Sequence, residues 1–204
     1  MAPPKTSNAA MTKSNLFLAS ASPRRRELLA LLGIPFEVVS NDIVERQAKG
    51  ESAYAYVERL AREKAEAGIQ GRSGVVIGSD TLGVLDGVVL EKPRDKEDAL
   101  RMWRAMSGRS HEILTAVAVT DGTSTESRVV LTEVFFRRLS ESEMAYYWTT
   151  GEPQDKAGAY AIQGVGGAFV ERINGSYHAV VGLPLVETAE LLSIYGIRVL
   201  NSDE

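Results

Sequence analysis

Val75-Val76-Ile77-Gly78-Ser79-Asp80-Thr81 decides how this chain is read. Three β-branched apolar residues give way at once to Gly, Ser and Asp. A short apolar run of this kind is the mark of a strand buried on both faces. Its polar end puts one carboxylate, Asp80, at the rim of a sheet, and in open α/β folds ligands bind beyond the carboxyl ends of strands. A strand is also a rigid place from which to aim a reacting group. Asp80 is therefore the candidate centre of a site, and the segments around it matter by whether their side chains could reach it.

Upstream, residues 16–19 form a short apolar strand that runs into Ser20-Ala21-Ser22-Pro23-Arg24-Arg25-Arg26. Ser22 has the chemistry of an N-cap and Pro23 that of the first helical position. Leu28, Leu29, Leu31 and Leu32 recur at helical spacing, and Gly33 ends the helix. Residues 34–39 read as a second strand, and 41–51 as a polar loop carrying Asp42, Glu45 and Arg46. Ser52 caps a helix over residues 53–67, rich in Ala, Glu and Arg.

Downstream, Asp86-Gly87 between two apolar runs predicts a type I′ hairpin, which leads to Glu91-Lys92-Pro93. Asp95 caps a helix that turns Ala99, Met102, Trp103 and Met106 inward. Residues 113–120 and 127–138 read as strands joined through Asp121-Gly122, and Ser140 with Glu143 forms a capping box. A loop at 152–158 precedes the glycine-rich Tyr160–Gly167 segment. Residues 169–173 and 177–181 read as a hairpin across Asn174-Gly175, and Pro184 opens a last helix. Strand–helix units followed by hairpins predict an α/β fold with a mixed sheet and a cleft between two lobes. Residues 1–15 are polar and read as a disordered leader; 16–204 read as one domain.

Composition narrows the function. The 204 residues are 44% hydrophobic and 25% charged, with a net charge of −4, which is ordinary for a soluble globular chain and argues against nucleic-acid binding through a basic surface. With no cysteine, thiolate zinc sites, disulfides and cysteine nucleophiles are excluded, and a reducing, cytoplasmic setting fits. The histidines, His111 and His178, lie in strand-like segments and are too few for a histidine-rich metal site. No apolar run is long enough to span a bilayer.

The chemistry-bearing groups are then few. Arginines in the first turn of a helix oppose the helix dipole, yet amides there favour anions and guanidinium matches phosphate oxygens bidentately. A phosphate held by Ser20, the amides, Arg24 and Arg25 would explain the arrangement. Asp80 could be a general base or a magnesium ligand, with Glu45 as a second carboxylate. Lys64, Lys92 and Lys156, facing one cleft, could hold a triphosphate. Tyr160–Gly167 is neither a Walker A loop nor a Rossmann fingerprint, because its glycines have the wrong spacing and no Gly-Lys-Ser/Thr closes it. Its Gln163 amide both donates and accepts, as pairing with a base edge requires. The bland alternatives are a basic helix start, a polar strand end, solvated lysines and a bend before a strand.

Leu18-Ala-Ser-Ala-Ser-Pro-Arg-Arg-Arg-Glu-Leu-Leu resembles the N-terminal signature of the Maf-like nucleotide pyrophosphatases. Gly78-Ser-Asp-Thr, Leu90-Glu-Lys-Pro, Met106-Ser-Gly-Arg-Ser-His and Gly182-Leu-Pro-Leu follow in that family's order. The resemblance implies an elongated two-lobed fold related to the inosine triphosphate pyrophosphatases. It also implies hydrolysis of a nucleoside triphosphate to the monophosphate and pyrophosphate with a divalent cation, Mg²⁺ or else Mn²⁺ or Co²⁺. Asp155-Lys-Ala-Gly-Ala-Tyr-Ala-Ile-Gln-Gly is similar to the subgroup that acts on dTTP and UTP. By motif position Asp80 matches the proton acceptor and Arg24, Thr81 and Gln163 match positions tied to substrate choice. Ser20, Arg25, Glu45, Lys64 and Lys92 match further polar positions, with Asp80 and Glu45 as the metal pair. Residues 41–44 depart from the family's spelling. The expected partner is a nucleotide, with no nucleic acid or membrane, and a homodimer is the default assembly. A non-catalytic nucleotide-binding regulator of cell division and a pyrophosphatase for modified purine nucleotides are the alternatives.

Overall fold

The computed structural model describes residues 15–199. One mixed sheet of seven strands organises it, in the order β2-β1-β3-β5-β6-β7, with β4 paired to β3. The strands are β1 (Leu16–Ala19), β2 (Glu37–Val39), β3 (Val75–Leu85), β4 (Val88–Leu90), β5 (Ser110–Thr120), β6 (Thr125–Phe136) and β7 (Val170–Asn174). β1 runs parallel to β2 and β3, and the β3–β5–β6–β7 side is antiparallel.

The opening stretch does not end where its polarity changes. β3 continues through Gly78, Ser79, Asp80 and Thr81 to Leu85, because β5 pairs with it from Val76 to Val84. Asp80 therefore sits in mid-strand opposite Ala116, not at the rim. The expectation failed because ladder hydrogen bonds satisfy the backbone whatever the side chain, and polar side chains in mid-strand need only a partner above the sheet.

The other edge of β3 is broken. β1 pairs with it only as far as Ile77, and β4 takes up the same edge only from Gly83. Between those two points the strand edge carries no sheet partner among the described residues, and this gap falls on Asp80 and Thr81.

Side chains of β3 alternate between two faces. On one face lies α2 (Ala53–Gly68), which packs Val57, Leu60, Ala61 and Ala65 on Leu82, Val84 and Leu114. Gly78 permits that approach: a Cβ there would stand 2.3 Å from the Ala61 carbonyl oxygen. On the other face, Ile77 and Val117 pack with α1 (Pro23–Ala30) and α6 (Leu185–Ile194) through Leu28, Leu29, Leu191 and Leu192. A third apolar cluster joins α3 (Lys96–Met106) and α4 (Glu141–Thr149) to the far end of β5 and β6 through Trp103, Met106, Tyr147, Phe136 and Phe169.

The capping signals held, and so did the Asp-Gly turn. Ser22, Ser52, Asp95 and Ser140 each accept from an amide three residues on, and Ser140 with Glu143 completes its capping box. Asp86 and Gly87 both have positive φ, as a type I′ turn demands. The second predicted hairpin is absent. Asn174 ends β7, Ser176 caps a short helix α5 (Tyr177–Val181), and His178 is therefore helical. β7 pairs with β6 instead, and the Ser176 hydroxyl on the Ala179 amide decides the helix. The strand expected over 34–39 shortens to Glu37–Val39. Leu31 falls outside α1 and is two-thirds exposed, so the inward face rests on Leu28 and Leu29, with Leu32 packed against the same cluster. The expected leader lies outside the described residues except for Asn15, whose carbonyl accepts from the Val75 amide.

Candidate active site

The gap in the edge of β3 opens into a cleft of about 400 Å³. That is within the ordinary range for a small-molecule site. Its lining includes Ser20, Arg24, Arg25, Glu45, Lys64, Asp80, Thr81, Lys92 and Gln163, so the structure brings together every residue singled out as a candidate. Arg26 and the histidines do not line it.

Asp80 projects from the α2 face of β3. The Lys64 ammonium, from the C-terminal half of α2, donates to Asp80 Oδ1 at 2.7 Å and to Glu45 Oε1 at 2.8 Å. Lys64 and Asp80 are almost fully buried, and the Glu45 side chain is half exposed. Burial works to raise the Glu45 pKa, but the Lys64 hydrogen bond and charge, with Arg25 and Lys92 nearby, outweigh it and hold Glu45 below the usual carboxylate range. Two carboxylates thus converge within two hydrogen-bond lengths of each other around one cation.

Thr81, the next residue, projects to the opposite face. Its hydroxyl accepts from Arg25 Nη2 at 3.2 Å, while Arg25 Nε donates to the Gly182 carbonyl at 2.9 Å. The same carbonyl accepts from the buried Ser79 hydroxyl, and the Thr115 hydroxyl donates to the Ala179 carbonyl and pairs with the Thr81 hydroxyl. This network fixes the Arg25 guanidinium at the end of α5. Burial lowers the Arg25 pKa, with Asp80 working against that shift, and a guanidinium stays charged at neutral pH in either case. Arg25 comes from the first turn of α1, where no acidic residue is present. Its neighbour Arg24 is half-buried on the same wall, and Ser20 just before the helix accepts from the Ser22 amide.

The far wall is the segment after α4. Lys156 donates to the Glu152 carbonyl at 2.8 Å and to Asp155 Oδ1 at 2.7 Å. Ala159 takes a positive φ of 58°, a left-handed conformation uncommon outside glycine, and the Trp103 indole holds its carbonyl. The turn aims Tyr160 to Gln163 along the cleft. Gln163 is exposed, and its side chain makes no hydrogen bond within the protein among the described residues. Lys92, between β4 and the buried Pro93, completes the ring of cations.

Sequence reasoning passed over two residues of this neighbourhood. Asn41 lines the cleft and donates to the Ala19 carbonyl at the end of β1; an Asn in a polar loop gives no signal of that. Glu152 binds the glycine-rich segment from behind, and no local signal in the sequence marks it.

A carboxylate pair, a ring of cations and one free amide describe a site for an anion bearing a base. The family model described as Maf-like protein matches residues 15–194. The chain belongs to this family. Among Maf-like relatives, the dTTP/UTP pyrophosphatase of Yersinia pestis is 59% identical over 180 residues, covering 87% of this chain and 91% of that protein. The dTTP/UTP pyrophosphatase of Vibrio cholerae is 59% identical over 184 residues, covering 89% and 98%. A solved HAM1 protein from Coxiella burnetii is similar with a TM-score of 0.49 at 13% identity, over 88% of this chain and 98% of that one.

The donor set fits a divalent cation of the magnesium kind. No group of three or more His, Cys, Asp or Glu is gathered among the described residues. Magnesium, however, is commonly held by one or two carboxylates, with substrate phosphates and water completing its shell. Asp80 and Glu45, meeting at the cleft, are such a pair. Among the described residues no helix is long and apolar enough to cross a membrane.

Proposed function

We propose that this chain hydrolyses pyrimidine nucleoside triphosphates, dTTP and UTP foremost, to the monophosphate and pyrophosphate, clearing them from a cytoplasmic nucleotide pool. The observation that carries the reading is the Lys64 ammonium between Asp80 and Glu45, in a cleft with Arg24 and Arg25 on one wall and Gln163 on the other. The names of the Yersinia and Vibrio relatives support the pyrimidine preference.

Asp80 is the base. Its Oδ1 is engaged by Lys64, while Oδ2 accepts no hydrogen bond among the described residues and is left to take a proton from water. The water oxygen attacks the α-phosphorus, the bond from that phosphorus to the α–β bridging oxygen breaks, and pyrophosphate departs with that oxygen. A carboxylate is a weak base towards water, so the attacking water must be held in line and made more acidic. Asp80 and Glu45 would hold a divalent cation, which when bound supplies positive charge to the phosphate oxygens and to the attacking water. Arg25, tethered to Gly182 and Thr81, presents a pre-positioned guanidinium to the triphosphate, so little ordering is needed at the moment of reaction. Arg24, Lys92 and Ser20 complete the cradle with the Arg24 amide in the first turn of α1, the one there that neither Pro23 nor the Ser22 cap removes. Gln163 reads the pyrimidine edge.

The test is pyrophosphate release with Mg²⁺ from dTTP, UTP, CTP and the purine triphosphates, run beside Asp80→Asn. Release from dTTP and UTP that Asp80→Asn abolishes, with nucleotide binding retained, is the expected result. Near-normal turnover in Asp80→Asn removes Asp80 from the role of base, and a purine preference removes Gln163 from that of selector.

A further inference from the structure

We propose that Glu152, which does not line the cleft, is a positioning residue for base selection, acting through the loop that carries Gln163; the proposal rests on the pyrimidine reading above. Glycine-rich loops invite a phosphate because their amides are unpaired. Here the amides are already taken. Glu152 Oε2 accepts from the Val165 amide at 3.0 Å and Oε1 from the Gly166 amide at 3.0 Å. Oε1 also accepts from the Tyr147 hydroxyl at 2.6 Å, and that hydroxyl in turn accepts from the Ala161 amide at 3.2 Å.

Gln163 lies between these anchors. It sits in a tight turn closed by the Gly164 amide on the Ala161 carbonyl. The backbone before the turn is tied to Tyr147 and the backbone after it to Glu152, so one carboxylate holds both arms. The glycines fit this clasp and nothing wider. A Cβ at Gly164 would lie 2.2 Å from Glu152 Oε2, and one at Gly166 would lie 2.4 Å from the Tyr147 hydroxyl. The spacing that fails as a nucleotide fingerprint is thus the spacing this carboxylate requires. Tyr147 is fixed in turn by its ring, packed against Trp103 and Phe169 in the apolar cluster. Burial tends to raise the Glu152 pKa, but the Tyr147 hydroxyl and the two amides outweigh it and hold the group below its ordinary value, so the clasp keeps its charge at neutral pH.

Gln163 has no side-chain partner of its own within the protein among the described residues, so its position depends on its backbone. Loosening the clasp should therefore weaken base recognition while leaving Asp80 and Lys64 untouched.

The experiment compares full-length wild type, Glu152→Ala, Glu152→Gln and Tyr147→Phe, by steady-state kinetics on dTTP and dGTP and by amide hydrogen exchange. In Glu152→Ala the KM for dTTP is expected to rise about tenfold with kcat changed less than about threefold, and the dTTP over dGTP preference to fall. Glu152→Gln keeps one acceptor oxygen and restores part of the loss. Tyr147→Phe keeps the ring in the core and removes only the hydroxyl, so it reproduces a milder form if Glu152→Ala does not fold. Exchange at Val165 and Gly166 should quicken in Glu152→Ala while β3 amides stay protected. Unchanged KM and preference in a folded Glu152→Ala, or unchanged exchange at those two amides, overturns the proposal. A wild type that prefers purines sinks the pyrimidine reading instead, and the exchange data together with the KM for the preferred nucleotide then judge the clasp.

Discussion

Replacing Lys64 by Met tests the centre of the site as a piece of physical chemistry before any substrate is added. Met keeps most of the apolar stem and removes the ammonium that Asp80 and Glu45 share. The two partners do not lose equally. Glu45 has more than half of its side chain in water, so its share is screened and amounts to at most about 1 kcal/mol. The Asp80 side chain is only 9% exposed. Removing one member of a buried pair leaves the other as an uncompensated charge, at a cost of about 3–5 kcal/mol. For a chain of this size each kcal/mol moves Tm by about 2–4 °C, so even about 3 kcal/mol means a fall of about 6–12 °C. Thermal unfolding by circular dichroism reads this directly. The double variant Lys64→Met/Asp80→Asn no longer buries either charge of this pair and should regain most of the loss, giving a coupling of about 2 kcal/mol or more across the cycle. A Lys64→Met protein that melts within about 2 °C of wild type, or a double variant whose losses simply add, would falsify the claim that this pair is buried and mutually dependent.

Two further outcomes follow from the fold. His111 is buried, bonded through Nε2 to the Tyr160 hydroxyl and without a partner at Nδ1, and burial depresses its pKa from 6.5 to about 4. As pH falls through 6.5 the unfolded chain takes up a proton that folded His111 refuses until about 4, so stability drops across that window by about 3 kcal/mol and no further below it. Urea unfolding at steps from pH 7 to pH 4 should show a flatter profile for His111→Gln than for wild type; parallel profiles would refute the assignment. Gly78→Ala would place a Cβ 2.3 Å from the Ala61 carbonyl oxygen and 2.5 Å from the Ala65 amide. Helix α2 must then lift, costing about 2 kcal/mol or more and displacing Lys64, so both Tm and turnover should fall together; a variant with normal turnover would show that α2 need not lie so close.

The sequence made the caps and the Asp-Gly hairpin legible because each is local chemistry, and the cleft residues legible because they fall in motifs shared with the Maf-like family. A serine three residues before an amide, or a residue pair with positive φ, needs no knowledge of the rest of the chain. The second hairpin was misread for the opposite reason. Residues 177–181 are apolar and β-branched enough for a strand, yet Ser176 caps them as a helix and β7 finds its ladder on β6. Propensity over five residues cannot outweigh one cap and one tertiary pairing. Glu152 was invisible because its value lies in which amides it meets, thirteen and fourteen residues away.

The position of Asp80 shows how a site can be found for an incomplete reason. Polarity after Ile77 suggested a strand end, and ligands do gather at strand ends. What the fold provides is a strand that runs on while its neighbour stops: β1 leaves the edge at Ile77 and β4 joins only at Gly83. The gap exposes consecutive residues of a rigid strand, and because neighbours on a strand face opposite sides, Asp80 meets Lys64 on α2 while Thr81 meets Arg25 on α1. A strand terminus would offer one carboxylate on a mobile end. A mid-strand gap offers a carboxylate on one face and an arginine tether on the other, both braced by the ladder to β5. The polar run Gly78 to Thr81 is then best understood residue by residue: Gly78 to admit α2, Ser79 to anchor Gly182, Asp80 for the site and Thr81 to hold Arg25.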